Sequence, residues 1–226
     1  LSGHVYSLAC GSSAVFATLE GGDSLYSFTL SDLSEAPKKR KSANGFGALA
    51  LSGNDKLLAL AGKASVEFFG VFGSDIQLDS QEPLPEGVKF AGGIILLDDS
   101  GSSYALTPDS SADPDGSSVL VRSGTARKLA ENSSGLLALN AKAKIIYSSA
   151  KVKGTVTPLQ LPSLEPDRSV IPAEGSPHTN GEPAELLYLS IPDALGVLDT
   201  AGNFYLVKMN MKDRRWQKYM IFTPKK

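Results

Sequence analysis

Short apolar runs separated by polar turns recur in pairs along the chain. The clearest pair lies between Gly93 and Leu106, where the runs Ile94 to Leu97 and Tyr104 to Leu106 flank a cluster of Asp, Ser and Gly. Two short apolar runs joined by such a cluster predict a β-hairpin. Four other stretches have the same plan, with an aromatic residue near the second position of the second run: Ala14 to Phe28, Leu57 to Phe69, Gly135 to Tyr147 and Ala194 to Leu206.

The spacing of these hairpins indicates the fold class. The aromatic residues of the second runs lie about 42, 36, 43 and 58 residues apart. They are Tyr26, Phe68, Tyr104, Tyr147 and Tyr205. Periods of about 40 to 45 residues are typical of β-propeller blades, each a four-stranded antiparallel sheet. We therefore predict an all-β fold, a β-propeller-like array of about five four-stranded antiparallel blades, in a single domain that spans residues 1–226.

Each predicted blade needs one strand before its hairpin and one after it. The strands predicted before the hairpins are Val5 to Ala9, Phe46 to Leu51, Val88 to Ala91, Ala126 to Ala130 and Glu185 to Leu189. The strands predicted after them are Ile76 to Leu78, Ser118 to Val121, Thr155 to Leu161 and Arg215 to Phe222. The first blade has no convincing fourth strand, and the charged segment Ser34 to Ser42 takes its place.

The apolar runs are typical of strands covered on both faces. Ile94 to Leu97 and Leu136 to Leu139 are apolar at every position instead of alternating with polar residues. No segment longer than about 12 residues has helical periodicity, so we expect almost no helix. The longest aliphatic run has about four residues, far short of the roughly 20 that a membrane-spanning helix needs, so no membrane partner is predicted.

The long last interval contains an insertion rich in proline. Thr157 to Pro183 contains six prolines and four acidic residues but few large apolar groups. Such a composition buries too little surface to offset the entropy lost on ordering. We predict a disordered surface loop between blades.

Charge and cysteine content narrow the class of protein. The formal net charge is −2, which excludes a globally basic nucleic-acid-binding protein and leaves room for local basic patches. Cys10 is the only cysteine, so no intramolecular disulfide can form. An intracellular location is favoured, because disulfide-rich scaffolds belong to oxidising compartments.

Two resemblances follow from particular residues. The opening Leu1 to Ala9, with its Gly3-His4 pair, and the later Gly22 to Phe28 resemble a WD-repeat blade, although no Trp-Asp dipeptide occurs in the chain. Four further features are similar to the first three blades of the WD-repeat subunit of tRNA guanine-N7 methyltransferase: Gly22 to Phe28, the charged Pro37 to Lys41, Lys56 to Phe69, and Asp98 to Gly101 before Tyr104. This second resemblance implies a seven-bladed, non-catalytic subunit that supports a methyltransferase partner.

The sharpest short motif is a run of four cations, Lys38, Lys39, Arg40 and Lys41. A compact basic run in an exposed, flexible setting resembles a nuclear import signal and suits acidic or phosphate-bearing partners. The alternative is a solvated loop between blades. The run predicts a nuclear location or a partner-binding surface.

The C-terminal segment combines basic and aromatic residues. Candidate contacts for a nucleic acid or a protein partner are Lys212, Arg214, Arg215, Trp216 and Lys218. Such a mixture can hold a phosphate backbone and stack bases. We favour the alternative of a terminal strand, in which Trp216, Met220 and Phe222 point inward while Arg215 and Lys218 face water.

No catalytic, metal or cofactor site is predicted. His4 and His178 lack metal-ligand spacing, and Cys10 supplies one thiolate only. No Gly-x-Ser-x-Gly elbow, P-loop or Gly-x-Gly-x-x-Gly motif is present. We predict a non-catalytic scaffold within a nuclear multi-subunit complex that supports an RNA-modifying or RNA-processing partner. The alternatives are a propeller that contacts RNA or DNA directly and a hydrolase or carbohydrate-binding propeller.

Overall fold

A computed structural model describes most of the chain. The described residues are 3–63, 65–84, 94–98, 104–107, 119–122, 125–128, 133–140, 142–150, 156–161, 183–189, 193–210 and 215–223. Every regular element among them is a β-strand. The chain divides into two compact units, Leu1–Pro114 with Val119–Arg127, and Asp115–Ser118 with Lys128–Lys226. The single-domain organisation stays a prediction.

The first unit contains three four-stranded sheets, whose strands are hydrogen-bonded in chain order. The first sheet is β1 (Val5–Cys10), β2 (Ala14–Leu19), β3 (Ser24–Thr29) and β4 (Lys38–Lys41). The second is β5 (Ala48–Leu51), β6 (Leu57–Ala61), β7 (Ser65–Phe72) and β8 (Asp75–Pro83). The third is β9 (Ile94–Leu97), β10 (Tyr104–Thr107), β11 (Val119–Arg122) and β12 (Thr125–Lys128).

The second unit contains one three-stranded sheet and one four-stranded sheet among its described residues. The three-stranded sheet is β13 (Ser133–Asn140), β14 (Ile145–Ala150) and β15 (Val156–Gln160). The four-stranded sheet is β16 (Pro183–Leu189), β17 (Ala194–Asp199), β18 (Phe204–Asn210) and β19 (Arg215–Phe222). Leu186, Leu195 and Val197 of the second sheet share a buried cluster with Ala138 and Tyr147 of the first.

The number of complete blades differs from the prediction. Four sheets have four strands, where about five were expected. The difference arises at β12, which was assigned to the fourth blade as Ala126 to Ala130 but extends the third sheet instead. Only Ser123 and Gly124 separate β11 from β12, and a Ser-Gly pair between two strands is a hairpin signal. β12 is hydrogen-bonded to β11 at the edge of that sheet.

The predicted hairpins are confirmed, whereas the proline-rich segment has different bounds. The five hairpins lie where their turns indicate, and Gly93 to Leu106 provides β9 and β10. Thr157 to Gln160 belongs to β15, so the proline-rich segment begins later than predicted. Residues 162–182 of that segment, and the strand predicted at Val88 to Ala91, lie outside the described residues.

The core of the first unit forms because β6 is covered on both faces. Leu58 and Leu60 share one buried cluster with Phe16 of β2. The alternate residues, Ala59 and Ala61, share another cluster, which also contains Ile95 and Tyr104 of the third sheet. These four residues of β6 are each 0% exposed. Because successive side chains of a strand point to opposite faces, a strand apolar at every position needs a sheet on each side.

The junction between the first two sheets depends on a glycine. The hydroxyl of Thr18 in β2 donates a 2.8 Å hydrogen bond to the carbonyl of Gly47, just before β5. A Cβ added at Gly47 would lie 2.0 Å from the carbonyl oxygen of Ala61. The obstacle is backbone and not a flexible side chain, so the strands themselves must move to accept any larger residue.

We expect Gly47→Ala to lower the free energy of unfolding of the first unit by at least about 2 kcal/mol, since overpacked sites force backbone shifts. The matched control is Gly73→Ala, where φ is +67° but no atom lies within 4 Å of the added Cβ. That strain costs about 1 kcal/mol. Amide hydrogen exchange of β5 and β6 measures both variants, and equal effects contradict the expectation.

Candidate interaction surfaces

The run of four cations forms the outer strand of the first blade. Lys38 to Lys41 is β4, and its residues pair with Ser27, Tyr26, Leu25 and Ser24 of β3. The flexible loop predicted at this position is therefore wrong for these four residues. Charged side chains, lysine above all, are suited to an edge strand because they discourage pairing with another chain.

Two of these cations hold the neighbouring blade. The Arg40 guanidinium donates a 3.0 Å hydrogen bond to the carbonyl of Ile76, and its central carbon lies 5.8 Å from the centroid of the Phe69 ring. The Lys38 ammonium donates to the Asp75 carboxylate at 2.7 Å. These contacts, together with a 2.7 Å hydrogen bond from the Ser27 hydroxyl to the Ser74 carbonyl, form what we call the clasp. The clasp joins β3 and β4 to the tip of the β7–β8 hairpin.

Lys39 and Lys41 remain accessible. Lys39 is exposed, with its ammonium 5.7 Å from the centroid of the Tyr26 ring and 3.9 Å from the Asp23 carboxylate. Lys41 is also exposed. A hydrogen bond from Ser24 and the positive charges of Lys39 and Lys41 lower the pKa of Asp23. The part of the run that lies outside the clasp is thus two cations beside one carboxylate.

A buried polar network anchors the loop that follows β4. The Glu67 carboxylate, 3% exposed, accepts hydrogen bonds from the Ser42 hydroxyl and from the backbone N–H of Ala43 at 3.1 Å. The Ser65 hydroxyl donates to the Asn44 side-chain oxygen at 2.8 Å. Sequence reasoning did not identify Glu67. Its one signal is a carboxylate inside the apolar β7, and its contacts assign it to holding this loop.

Acidic and amide side chains fix the turns inside the hairpins. Asn140 and Asp199 are the last residues of β13 and β17, Asp98 directly follows β9, and all three are buried. The Asp199 carboxylate accepts hydrogen bonds from the backbone N–H of Asn203 at 2.8 Å and from the Asn203 amide nitrogen at 3.0 Å. Burial acts to raise the pKa of Asp199, but the hydrogen bonds from Asn203 and its neighbours outweigh it and lower the pKa. These hydrogen bonds hold the turn between β17 and β18, so the Asp199 carboxylate has a structural role.

Of the two histidines and the one cysteine, the structure describes His4 and Cys10. His4 is exposed, and its backbone carbonyl accepts a 2.9 Å hydrogen bond from the N–H of Glu20. Cys10 is exposed, and His178 lies outside the described residues. Within the described ranges, no group of three His, Cys, Asp or Glu residues is placed to hold a metal ion. No helix in this part of the chain is long and apolar enough to cross a membrane.

The basic and aromatic C-terminal segment includes the predicted strand. β19 has the predicted bounds, and Arg215, Trp216 and Lys218 pair with Asn210, Met209 and Val207 of β18. Lys212 and Arg214 lie outside the described residues. The contact role of all five candidate residues stays a prediction.

The prediction that Phe222 points inward is wrong. Phe222 is 58% exposed. The register shifts between Phe204 and Tyr205, which pair with Phe222 and Met220, so Ile221 is left without a paired residue. Such a bulge breaks the alternation of faces on which the prediction depended.

The comparisons with known proteins show the fold. A scan against protein-family models finds no match. A search of curated proteins finds no match either. Among solved structures, the β-propeller domain of Cps50 (Swd1) from Myceliophteria thermophila is similar, with a TM-score of 0.65, 11% sequence identity, and coverage of 92% of this chain and 65% of that chain. The fold is a β-propeller of four-stranded antiparallel sheets; the similarity to the tRNA methyltransferase subunit is not confirmed.

Arg40→Ala is expected to loosen the clasp. Loss of the hydrogen bond and of the stem's packing should destabilise the β7–β8 tip by about 1–2 kcal/mol. Lys41→Ala, on the same strand but outside the clasp, should change it by less than about 0.5 kcal/mol. Amide exchange at residues 72–77 measures both. If the two variants behave alike, Arg40 does not hold the hairpin.

Asp199→Ala is expected to cost the second unit about 1–3 kcal/mol, because it leaves the buried donors of the turn unpaired. Since the folded pKa of Asp199 is lowered, its contribution is present above the unfolded pKa of about 3.9 and is lost as pH falls through the folded value. Urea unfolding followed by Trp216, the only tryptophan, should therefore show a difference at pH 7 that shrinks below about pH 4. Glu185→Ala, an exposed acid on β16, is the control. A difference that is constant with pH contradicts this account.

Proposed function

We propose that this chain is a non-catalytic β-propeller scaffold that holds protein partners within a multi-subunit complex. The proposal is carried by two kinds of side chain, buried acids that make structural hydrogen bonds and large apolar groups that are exposed. The buried acids Glu67 and Asp199 are engaged by hydrogen bonds that hold loops and turns. Large apolar side chains are exposed on strands and loops of both units, among them Leu8, Leu33, Phe72 and Phe222, each more than half exposed.

Exposed apolar groups are typical of interaction surfaces when they cluster. The propeller fold by itself assigns no activity, because one fold hosts many functions. The finer parts of the proposal are a nuclear location and an RNA-modifying or RNA-processing partner such as a tRNA methyltransferase. They rest on the Lys38 to Lys41 run and on the resemblance of the first blades.

Direct contact with RNA or DNA is the alternative, favoured by the basic run Lys38 to Lys41 and by the cations near β19. It requires binding that weakens steeply with salt, because phosphate contacts release counterions. No observation favours the hydrolase or carbohydrate-binding alternative.

The scaffold role is tested by isolating the tagged chain from its native source after mild crosslinking. We expect a defined set of proteins that stays with it through gel filtration. Elution of the chain alone, at the size of a 23.7 kDa protein, contradicts the proposal.

The nuclear part has a separate test that leaves the clasp intact. Replacing Lys39 and Lys41 with Ala removes the half of the basic run that lies outside the clasp, so nuclear accumulation should fall several-fold if the run acts as an import signal. Lys56→Ala with Lys142→Ala, two exposed cations outside the run, is the matched control. An unchanged distribution of the Lys39 and Lys41 variant removes the nuclear part.

A further inference from the structure

The outer strand of each four-stranded sheet exposes one row of backbone donors and acceptors. Such an edge invites pairing with another chain, and proteins blunt it with charge, shortness or proline. β4 is four residues long and consists of cations. β12 is Thr-Ala-Arg-Lys. β8 is largely polar and acidic and ends at Pro83, with Leu78 as its one large apolar residue more than 36% exposed.

β19 is the exception among these outer strands. It is eight residues long, and three of its last four residues are large, apolar and exposed. They are Tyr219 at 50%, Ile221 at 55% and Phe222 at 58%. Gln217, Tyr219 and Ile221 alternate along the strand, and all three are exposed, so this face of the edge is open.

The geometry divides β19 into two parts. From Arg215 to Met220 the pairing with β18 is continuous, which gives six residues of regular strand. The bulge at Ile221 then interrupts the ladder. A bulge re-aims the side chains next to it, so Ile221 and Phe222 form an apolar end to the regular edge.

Charge indicates what this edge accepts. From Lys208 to Lys226 the sequence contains seven cations and one acid, Asp213. A second copy of this segment would bring two sets of excess positive charge into one interface, which is unfavourable. A nucleic acid matches the cations and can stack a base on Phe222, but it uses neither the aliphatic Ile221 nor the backbone edge. An extended peptide that alternates acidic and apolar residues matches the charge, the apolar groups and the backbone edge together.

We propose that β19 is a docking edge, which pairs with an extended acidic segment of a partner protein whose apolar side chains pack on Tyr219, Ile221 and Phe222. This inference rests on the proposed scaffold function and names the surface and the partner chemistry.

The test selects binders from a display library of random 12-residue peptides, with the whole 226-residue chain as bait. Enriched peptides should alternate acidic and apolar residues. Fluorescence anisotropy should show at least tenfold weaker binding to Tyr219→Ser and to Ile221→Ser. Leu33→Ser, at an exposed apolar residue of the first unit, should change binding less than twofold. Unchanged thermal midpoints show that the variants fold.

Backbone pairing has its own signature. Methylating alternate amide nitrogens of the best peptide should abolish binding in one register and leave it in the other, since only one set of amides faces the edge. Amide exchange at residues 215–220 should slow on binding. Equal tolerance of both registers contradicts strand pairing.

Four other results overturn the proposal: no enriched peptide, peptides indifferent to Tyr219→Ser and Ile221→Ser, displacement of the peptide by a 12-nucleotide single-stranded RNA, or a dimer in sedimentation that either variant dissociates. The scaffold proposal fails separately. If native complexes survive both β19 variants, the scaffold stands and another surface serves it. If peptides bind at β19 and the native chain elutes alone, the scaffold role is the part that fails.

Discussion

Strand β6 is buried on both faces, and this burial organises the first unit. Leu58 and Leu60 of β6 bury against the first sheet, while Ala59 and Ala61 bury against the third. Truncating a buried leucine costs about 2–5 kcal/mol, whereas an exposed ion pair such as Lys38 with Asp75 is worth about 1 kcal/mol or less. Packing between sheets therefore holds the blades together, and polar contacts at their outer strands align them. A single blade of this composition would expose apolar side chains to water on both faces. Such a blade is stable only when another blade packs on each side.

The positions of the hairpins could be predicted because their signals are local. An apolar run, an Asp or Asn at its end and a Gly or Ser turn decide where β17 stops and β18 begins, and Asp199 shows why: its carboxylate binds the turn that it precedes. The partition into blades could not be predicted as well, because it depends on which neighbour a strand joins. Thr125 to Lys128 has the same composition whether it opens one sheet or closes another.

The candidate contact residues show the same division. The bounds of β19 were correct because its aromatic and basic residues favour a strand, yet the burial of Phe222 was wrong because one bulge in the register reverses the faces that follow it. Composition predicts a loop for the cationic run, whereas the contacts that fix it involve Asp75 and Ile76, more than 30 residues away along the chain. The residues next to the cationic run do not indicate either of these two contacts.

The outer strands are where stability constrains the sequence least. An inner strand that loses its apolar residues exposes two sheets, while an outer strand needs only its pairing to the strand before it. β4, β8 and β12 use that freedom for charge and polarity, which keep the edges apart from other chains. Large apolar side chains on β19 contribute little to the sheet that bears them, since half or more of the surface of Tyr219, Ile221 and Phe222 remains in contact with water. The docking edge that we propose gives these three groups a role that the sheet itself does not need.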